Sequence, residues 1–250
     1  MILTVPSMFP REDKIHIVRD NETETFRSDF TERKAEVPQL LLVEQPKPDS
    51  HILTHFHSVD QFQIFMDGYG KLGNHPIEPI SIHYTNSYTA YGPIIAGPKG
   101  MSYYVVRPGF DVDGSYYVHI PEKKAAISRG RKRSFVAEHI KARTEPDLRA
   151  LKGIEVDRVI GVDRGDPDEG VFADIVSLPP GAQFTGADPK SGGGQVFLVL
   201  AGSLMREGKT LGVRSAVALT YEEPVVTLHA GPNGAQFMAL QYPRRHAKAS

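Results

Sequence analysis

The sequence has no cysteine and no tryptophan. Lack of cysteine removes disulfides, zinc–thiolate centres, iron–sulfur clusters and cysteine nucleophiles together, so any metal must be held by histidine, oxygen or amide ligands. Neither sign of charge is in excess. The 29 lysines and arginines stand against 30 acids, a formal net charge of −1, which argues against nucleic-acid or anionic-membrane partners. No run approaches the ~20 apolar residues of a membrane span. The opening MILTVPSMFPREDKIHIVRD is broken by prolines and lacks the charged start and cleavage site of a signal peptide; a soluble, cytoplasmic protein is expected. There is no G-x-S-x-G nucleophile elbow, no H-E-x-x-H and no P-loop. Gly68-Tyr-Gly70 reads as a hairpin turn, and the SGGG run at 191–194 as a turn rather than a phosphate loop.

What is abundant is backbone punctuation: 23 glycines and 19 prolines in 250 residues, a density that suits short strands and turns. The chain also repeats itself. AGPKGMSYYVVRP at 96–108 returns as AGPNGAQFMALQYP at 230–243. An offset of 134 superposes Gly97 on Gly231, Gly100 on Gly234, Gln61 on Gln195, Gly68 on Gly202 and Pro46 on Pro180. One gap-free shift joining five landmarks indicates two homologous units, roughly 36–120 and 170–243.

Both units consist of short aromatic or β-branched runs bounded by Gly, Pro, Asp or Asn. LLLVE, HILTHFH, QFQIFM, MSYYVVRP and SYYVHI lie in the first; FADIVSL, QVFLVLAG, AVALTY, VVTLHA and AQFMALQYP lie in the second. Only 122–152 reads as helical or irregular, with ten Lys/Arg against four acids. A solvated linker balancing the acidic 155–170 stretch is the simpler reading of it. The first 35 residues could add a strand or wrap the other unit. The expected class is all-β, with each sheet folded into a small barrel that hides its edges. Expected boundaries are 1–120 for the first barrel, 121–155 for a basic linker and 156–250 for the second barrel.

Histidines are uneven. His51, His55, His57, His75, His83 and His119 lie in the first unit, against His229 in the second. If HILTHFH is extended, His51, His55 and His57 share one face, and buried imidazoles require hydrogen-bond partners, water or a metal.

Here the sequence resembles the cupin superfamily. Its first motif, G-x5-H-x-H-x3,4-E-x6-G, is matched by His55-Phe-His57-Ser-Val-Asp-Gln61 and Gly68, with glutamine for the glutamate and without the leading glycine. Its second, G-x5-P-x-G-x2-H-x3-N, is matched by Gly92, Pro98, Gly100, Tyr103 and Arg107, with tyrosine for the histidine and arginine for the asparagine. The resemblance implies a bicupin of two jelly-roll barrels, assembling as a homodimer. Carried over by position, His55, His57 and Gln61 are the metal ligands, completed by Tyr103 or His83, and the cofactor is a divalent metal (Fe, Mn, Ni or Zn). In the second unit the offset places Pro189, Ser191 and Phe237 at the His55, His57 and Tyr103 positions. Those residues cannot hold a transition metal, so that barrel is expected to be structural.

His83, Tyr88 and Tyr91 are expected to line a pocket for a small aromatic or oxygenated molecule. Tyr103 and Arg107 are the candidate catalytic groups. Arg107 either clamps a substrate carboxylate or pairs with Asp111 or Asp113. Two functions are carried forward. One is a metal-dependent cupin enzyme on a small organic substrate, a dioxygenase or related oxidoreductase by family analogy. The other is a non-catalytic bicupin that binds a small molecule or partner protein without metal.

Overall fold

The computed structural model describes residues 1–19, 21–127, 132–161 and 170–244. Residues 128–131 of the basic segment and 162–169 of the acidic stretch lie outside the described residues. The chain divides into two compact units, Pro10–Lys141 and Met1–Phe9 with Ala142–Ser250. These divisions differ from those expected. Residues 1–9 go with the second unit because Ile2–Val5 pairs antiparallel with Ala216–Leu219. The 121–155 segment is not simply a linker. Its SFVA run, Ser134–Ala137, is a strand paired with Ser81–Thr85, as its β-branched and aromatic residues favour once a sheet edge is available. The helix Glu145–Ala150, with a Thr144–Asp147 capping box, belongs to the second unit.

Each unit is an antiparallel jelly roll, and the two share one strand order. In Pro10–Lys141 the sheet runs Ser134–Ala137, Ser81–Thr85, Gln61–Leu72, Ile94–Arg107, Gln39–Gln45, Glu24–Asp29, Ile15–Val18. In the other unit Ile2–Val5, Ala216–Leu219, Gln195–Arg206, Thr227–Gln241, Phe172–Leu178 and Glu155–Ile160 follow the same path. The sequence repeat is therefore a repeat of topology, including the long central pair. Among the described residues no helix is long and apolar enough to cross a membrane.

The repeated glycines explain themselves sterically. Gly68 and Gly202 have φ of +78° and +64°, and a Cβ on either would stand 2.3 or 2.2 Å from the carbonyl oxygen of Gly100 or Gly234. Only glycine permits that approach at that dihedral. Gly68 and Gly70 lie inside the Gln61–Leu72 strand, and the hairpin turn comes later, at Gly73.

The Gln61–Phe65 and Tyr103–Arg107 stretches of the two central strands are buried on both faces, whereas Met66–Lys71 and Gly97–Lys99 are partly or wholly exposed. Inside the second unit Phe197, Phe237, Val199, Val217, Leu219 and Leu228 pack as one apolar cluster, with Phe184 set edge-on to Phe237. In Pro10–Lys141 the positions of Phe197, Phe237, Val217 and Leu219 carry Gln63, Tyr103, His83 and Thr85, while those of Val199 and Leu228 keep apolar Phe65 and Ile94, and there a cavity opens.

Candidate functional site

A cavity of about 370 Å³ opens within the Pro10–Lys141 barrel, a size suited to a small organic molecule. Strand alternation builds its floor. Gln61 and Gln63, Tyr103, Val105 and Arg107, and Leu41 and Val43 all point inward at every second residue of three adjacent strands. His55, His57, Tyr91 and Tyr117 close one side.

HILTHFH is not one strand. His51–Ile52 and His55–Phe56 are separate short segments, His51 is exposed, and His57 lies just past the second. The expected three-histidine face therefore reduces to two. Their rings stand edge-to-face with centroids 5.2 Å apart, and both are buried. Tyr91 joins them because its backbone exchanges two hydrogen bonds with that of His55.

Hydrogen-bond partners assign both histidine tautomers. Carbonyl and carboxylate oxygens only accept, so His55 Nδ1–H donates to Leu53 O at 2.7 Å, and His57 Nδ1–H donates to Asp111 Oδ2 at 2.6 Å and Gly114 O at 3.1 Å. Each Nε2 therefore carries a lone pair. His55 Nε2 accepts from the Tyr91 hydroxyl at 2.9 Å. Tyr91 in turn accepts from Gln61 Nε2 at 2.6 Å. Gln61 Oε1 accepts twice from Arg107, at 3.0 and 2.9 Å. A polar chain thus runs Arg107, Gln61, Tyr91, His55. Arg107 Nη1 also donates to Gln39 Oε1 at 2.8 Å and lies 3.3 Å from Asp111 Oδ2. Of the two roles open to Arg107, the structure displays the ion pair with Asp111.

Burial sets the charge states. It drives His55 well below the ordinary imidazole value, helped by His57. It takes His57 to about 4, the charge of Arg107 adding to the effect and Asp111 opposing it. Burial pushes the Asp111 carboxyl up, but the hydrogen bond and charge of His57 and the charge of Arg107 outweigh this, and the net shift is downward. At neutral pH the site holds neutral imidazoles, an ionised Asp111 and a cationic Arg107. Burial also raises the Tyr91 and Tyr103 phenols, so both keep their protons.

Two expected pocket residues stand elsewhere. His83 is fully buried off the cavity, its Nδ1 2.7 Å from Gln63 Oε1 and its Nε2 2.9 Å from Ser134 Oγ; the strand that supplies Ser134 covers it. Tyr88 packs beside the rings of Phe56 and Tyr116, and its backbone N–H donates to His57 O at 2.7 Å. Tyr91 and Tyr103 do line the cavity. Sequence reasoning missed Arg19, Thr25 and Tyr117, which also line it. The first two lie in the N-terminal arm, where no motif marks them.

The donor set does not fit a transition metal as it stands. Gln61 Oε1 is occupied by Arg107, His55 Nε2 by Tyr91, and the nearby carboxylate, Asp111, is engaged by His57 and Arg107. Among the described residues no three His, Asp or Glu side chains form a metal-holding group. A buried guanidinium beside the ligand oxygen would also repel a divalent cation. In the second unit Gln195 and Gln241 repeat the Gln61–Arg107 relationship as a neutral amide pair at 2.7 Å.

No protein-family model matches the chain, and no curated protein matches it. Solved structures do. Bacterial pirin YhhW from Escherichia coli, in complex with nickel(II), is similar with a TM-score of 0.56 at 10% identity, covering 98% of this chain and 100% of that one. Oxalate decarboxylase from Bacillus subtilis at pH 4.6 gives 0.56 at 10% identity, covering 99% and 77%. A Nostoc punctiforme protein provisionally described as a dioxygenase gives 0.58 at 11% identity, covering 99% and 84%. These neighbours are cupin proteins, and this chain has the cupin fold. At such identity the likeness speaks for fold alone.

Proposed function

We propose that the Pro10–Lys141 barrel binds a small oxygenated organic molecule without a metal, and that His57 is the group in it able to accept a proton from the ligand. One observation carries this reading: Arg107 donates two hydrogen bonds to Gln61 Oε1, the atom that would have to ligate. The positive charge and hydrogen bonds of Arg107 hold the amide oxygen away from metal chemistry. His57 lines the cavity, neutral and anchored through Nδ1–H on Asp111, and its Nε2 lone pair has no donor among the described residues. An oriented base beside a carboxylate is the arrangement general-base chemistry requires.

A second reading has its own support. The two imidazole rings lie 5.2 Å apart with an Nε2 lone pair on each, and the structural neighbours include a nickel-bound pirin and an oxalate decarboxylase studied for its Mn(II) centres. In that reading His55, His57 and Gln61 hold Fe, Mn, Ni or Zn, and the activity is that of a dioxygenase or related oxidoreductase. It requires Gln61 to leave Arg107 and His55 to leave Tyr91.

Thermal-shift measurements separate the two. Stabilisation by small organic acids or sugars in the presence of chelator supports metal-free binding. Stabilisation only by Fe²⁺, Mn²⁺, Ni²⁺ or Zn²⁺, lost in His55→Ala/His57→Ala, overturns it.

A further inference from the structure

The hydrogen-bonding groups of the cavity do not balance among themselves. Ile15–Val18 and Glu24–Asp29 form an antiparallel hairpin with Ile17 opposite Thr25. Arg19, two residues past Ile17, is therefore on the same face as Thr25, and both line the cavity. Arg19 Nη1 donates to the Tyr117 hydroxyl at 2.8 Å, while its Nε is buried with no partner among the described residues. Thr25 Oγ1 is fully buried and also without a partner among those residues. The Tyr103 hydroxyl, on a residue only 2% exposed, makes no hydrogen bond among the described residues.

The charges are equally one-sided. Arg107 faces Asp111, and Arg27, which also lines the cavity, lies 2.6 Å from Asp29. Arg19 has no carboxylate partner among the described residues. A buried guanidinium nitrogen and a buried hydroxyl left unsatisfied each carry a cost of ~1–3 kcal/mol or more, and such groups in a cavity, with the Tyr103 phenol beside them, signal what the ligand supplies. Three donors and one cation unneutralised among the described residues call for an anion with at least two acceptor oxygens. His57 Nε2, a lone pair with no donor among the described residues, calls for a ligand O–H.

We infer that Arg19, Thr25 and Tyr103 form a carboxylate subsite, and that the ligand of this barrel is a small hydroxy acid whose hydroxyl faces His57. The guanidinium supplies charge and a directed N–H, while Thr25 and Tyr103 supply two hydroxyl donors. This deepens the metal-free reading above and rests on it.

The test compares carboxylates with their uncharged counterparts on the full chain in EDTA. Glycolate and mandelate, and the amides glycolamide and mandelamide, are titrated by calorimetry and by thermal shift. An acid of this set is expected to bind, with its amide at least tenfold weaker. Arg19→Gln is expected to remove at least tenfold of the acid affinity without weakening the amide. Arg19→Lys should recover part of it, and Tyr103→Phe should lose several-fold. Near-UV circular dichroism of the tyrosines checks that each variant is folded. Equal binding of acid and amide, or wild-type acid affinity in a folded Arg19→Gln variant, overturns the subsite but leaves metal-free binding standing. No response to any of the four compounds overturns the hydroxy-acid assignment, and a response to neutral sugars in the same buffer would then still support metal-free binding.

Discussion

Arg107 Nε and Nη2 both end on one atom, Gln61 Oε1, at 3.0 and 2.9 Å. A glutamate at position 61 and a neutral residue at 107 would leave a carboxylate free in the cavity that both imidazoles line; glutamine and arginine together close that option. The exchange is chemically coupled, since an uncharged acceptor suits an arginine whose charge Asp111 already balances.

Reversing the coupled pair should restore metal uptake. Gln61→Glu/Arg107→Asn supplies a carboxylate beside His55 and His57 and removes the cation, a donor set that first-row divalent metals favour. Near-stoichiometric nickel or manganese by elemental analysis is expected in the double variant, and none above background in the parent. Equal metal in both would contradict the electrostatic argument.

Arg107 is also a structural element. Arg107→Met strands Asp111, Gln39 and Gln61 in the interior. Breaking a buried ion pair from one side costs about 3–5 kcal/mol. Urea denaturation followed by tyrosine fluorescence should show a loss of that order. A loss under ~1 kcal/mol would place Arg107 in a far wetter setting.

Stability should fall on mild acidification. His57 is held at about 4 and His83 at about 3 in the folded protein, and His55 is also depressed, burial being the largest cause each time. As pH drops below the ordinary histidine value near 6.5, the unfolded chain takes up protons that the native state refuses. Native stability then declines by up to ~1.4 kcal/mol per pH unit for each histidine, down to the folded-state values. The depressed Asp111 carboxyl adds its own loss only below about 4, where the unfolded carboxylate begins to protonate. Denaturation midpoints at pH 7, 6 and 5 check the slope. His83→Asn should make it shallower, and a flat profile would contradict it.

His83 itself is expected to matter for folding and not for binding. Both ring nitrogens have partners, Gln63 and Ser134, and the ring lies off the cavity. His83→Phe should cost ~1–3 kcal/mol by orphaning those groups. Ligand affinity should stay within about twofold, by calorimetry on the folded variant. A tenfold loss of affinity would return His83 to the site.

The second barrel tests the reverse design. Phe237→Ala removes a fully buried ring packed against Phe184 and Phe197, which should cost about 3–5 kcal/mol. Phe237→Tyr should be destabilising as well, since no partner for its hydroxyl is evident in that apolar cluster. Thermal melts of the two variants provide the comparison.

Class, duplication and the emptied second site were legible in one dimension. Turn density, a single 134-residue offset and the residues Pro189, Ser191 and Phe237 are properties of spacing and chemistry, and strand alternation carries Gln61, Tyr103 and Arg107 to one interior. Folding decided what those side chains touch. Whether Arg107 meets Asp111 or a ligand, whether His83 faces the cavity or Ser134, and whether the arm brings Arg19 and Thr25 alongside Tyr103 all depend on strands far apart in sequence. Such long-range pairings assign each polar group its partner, and no local pattern records them.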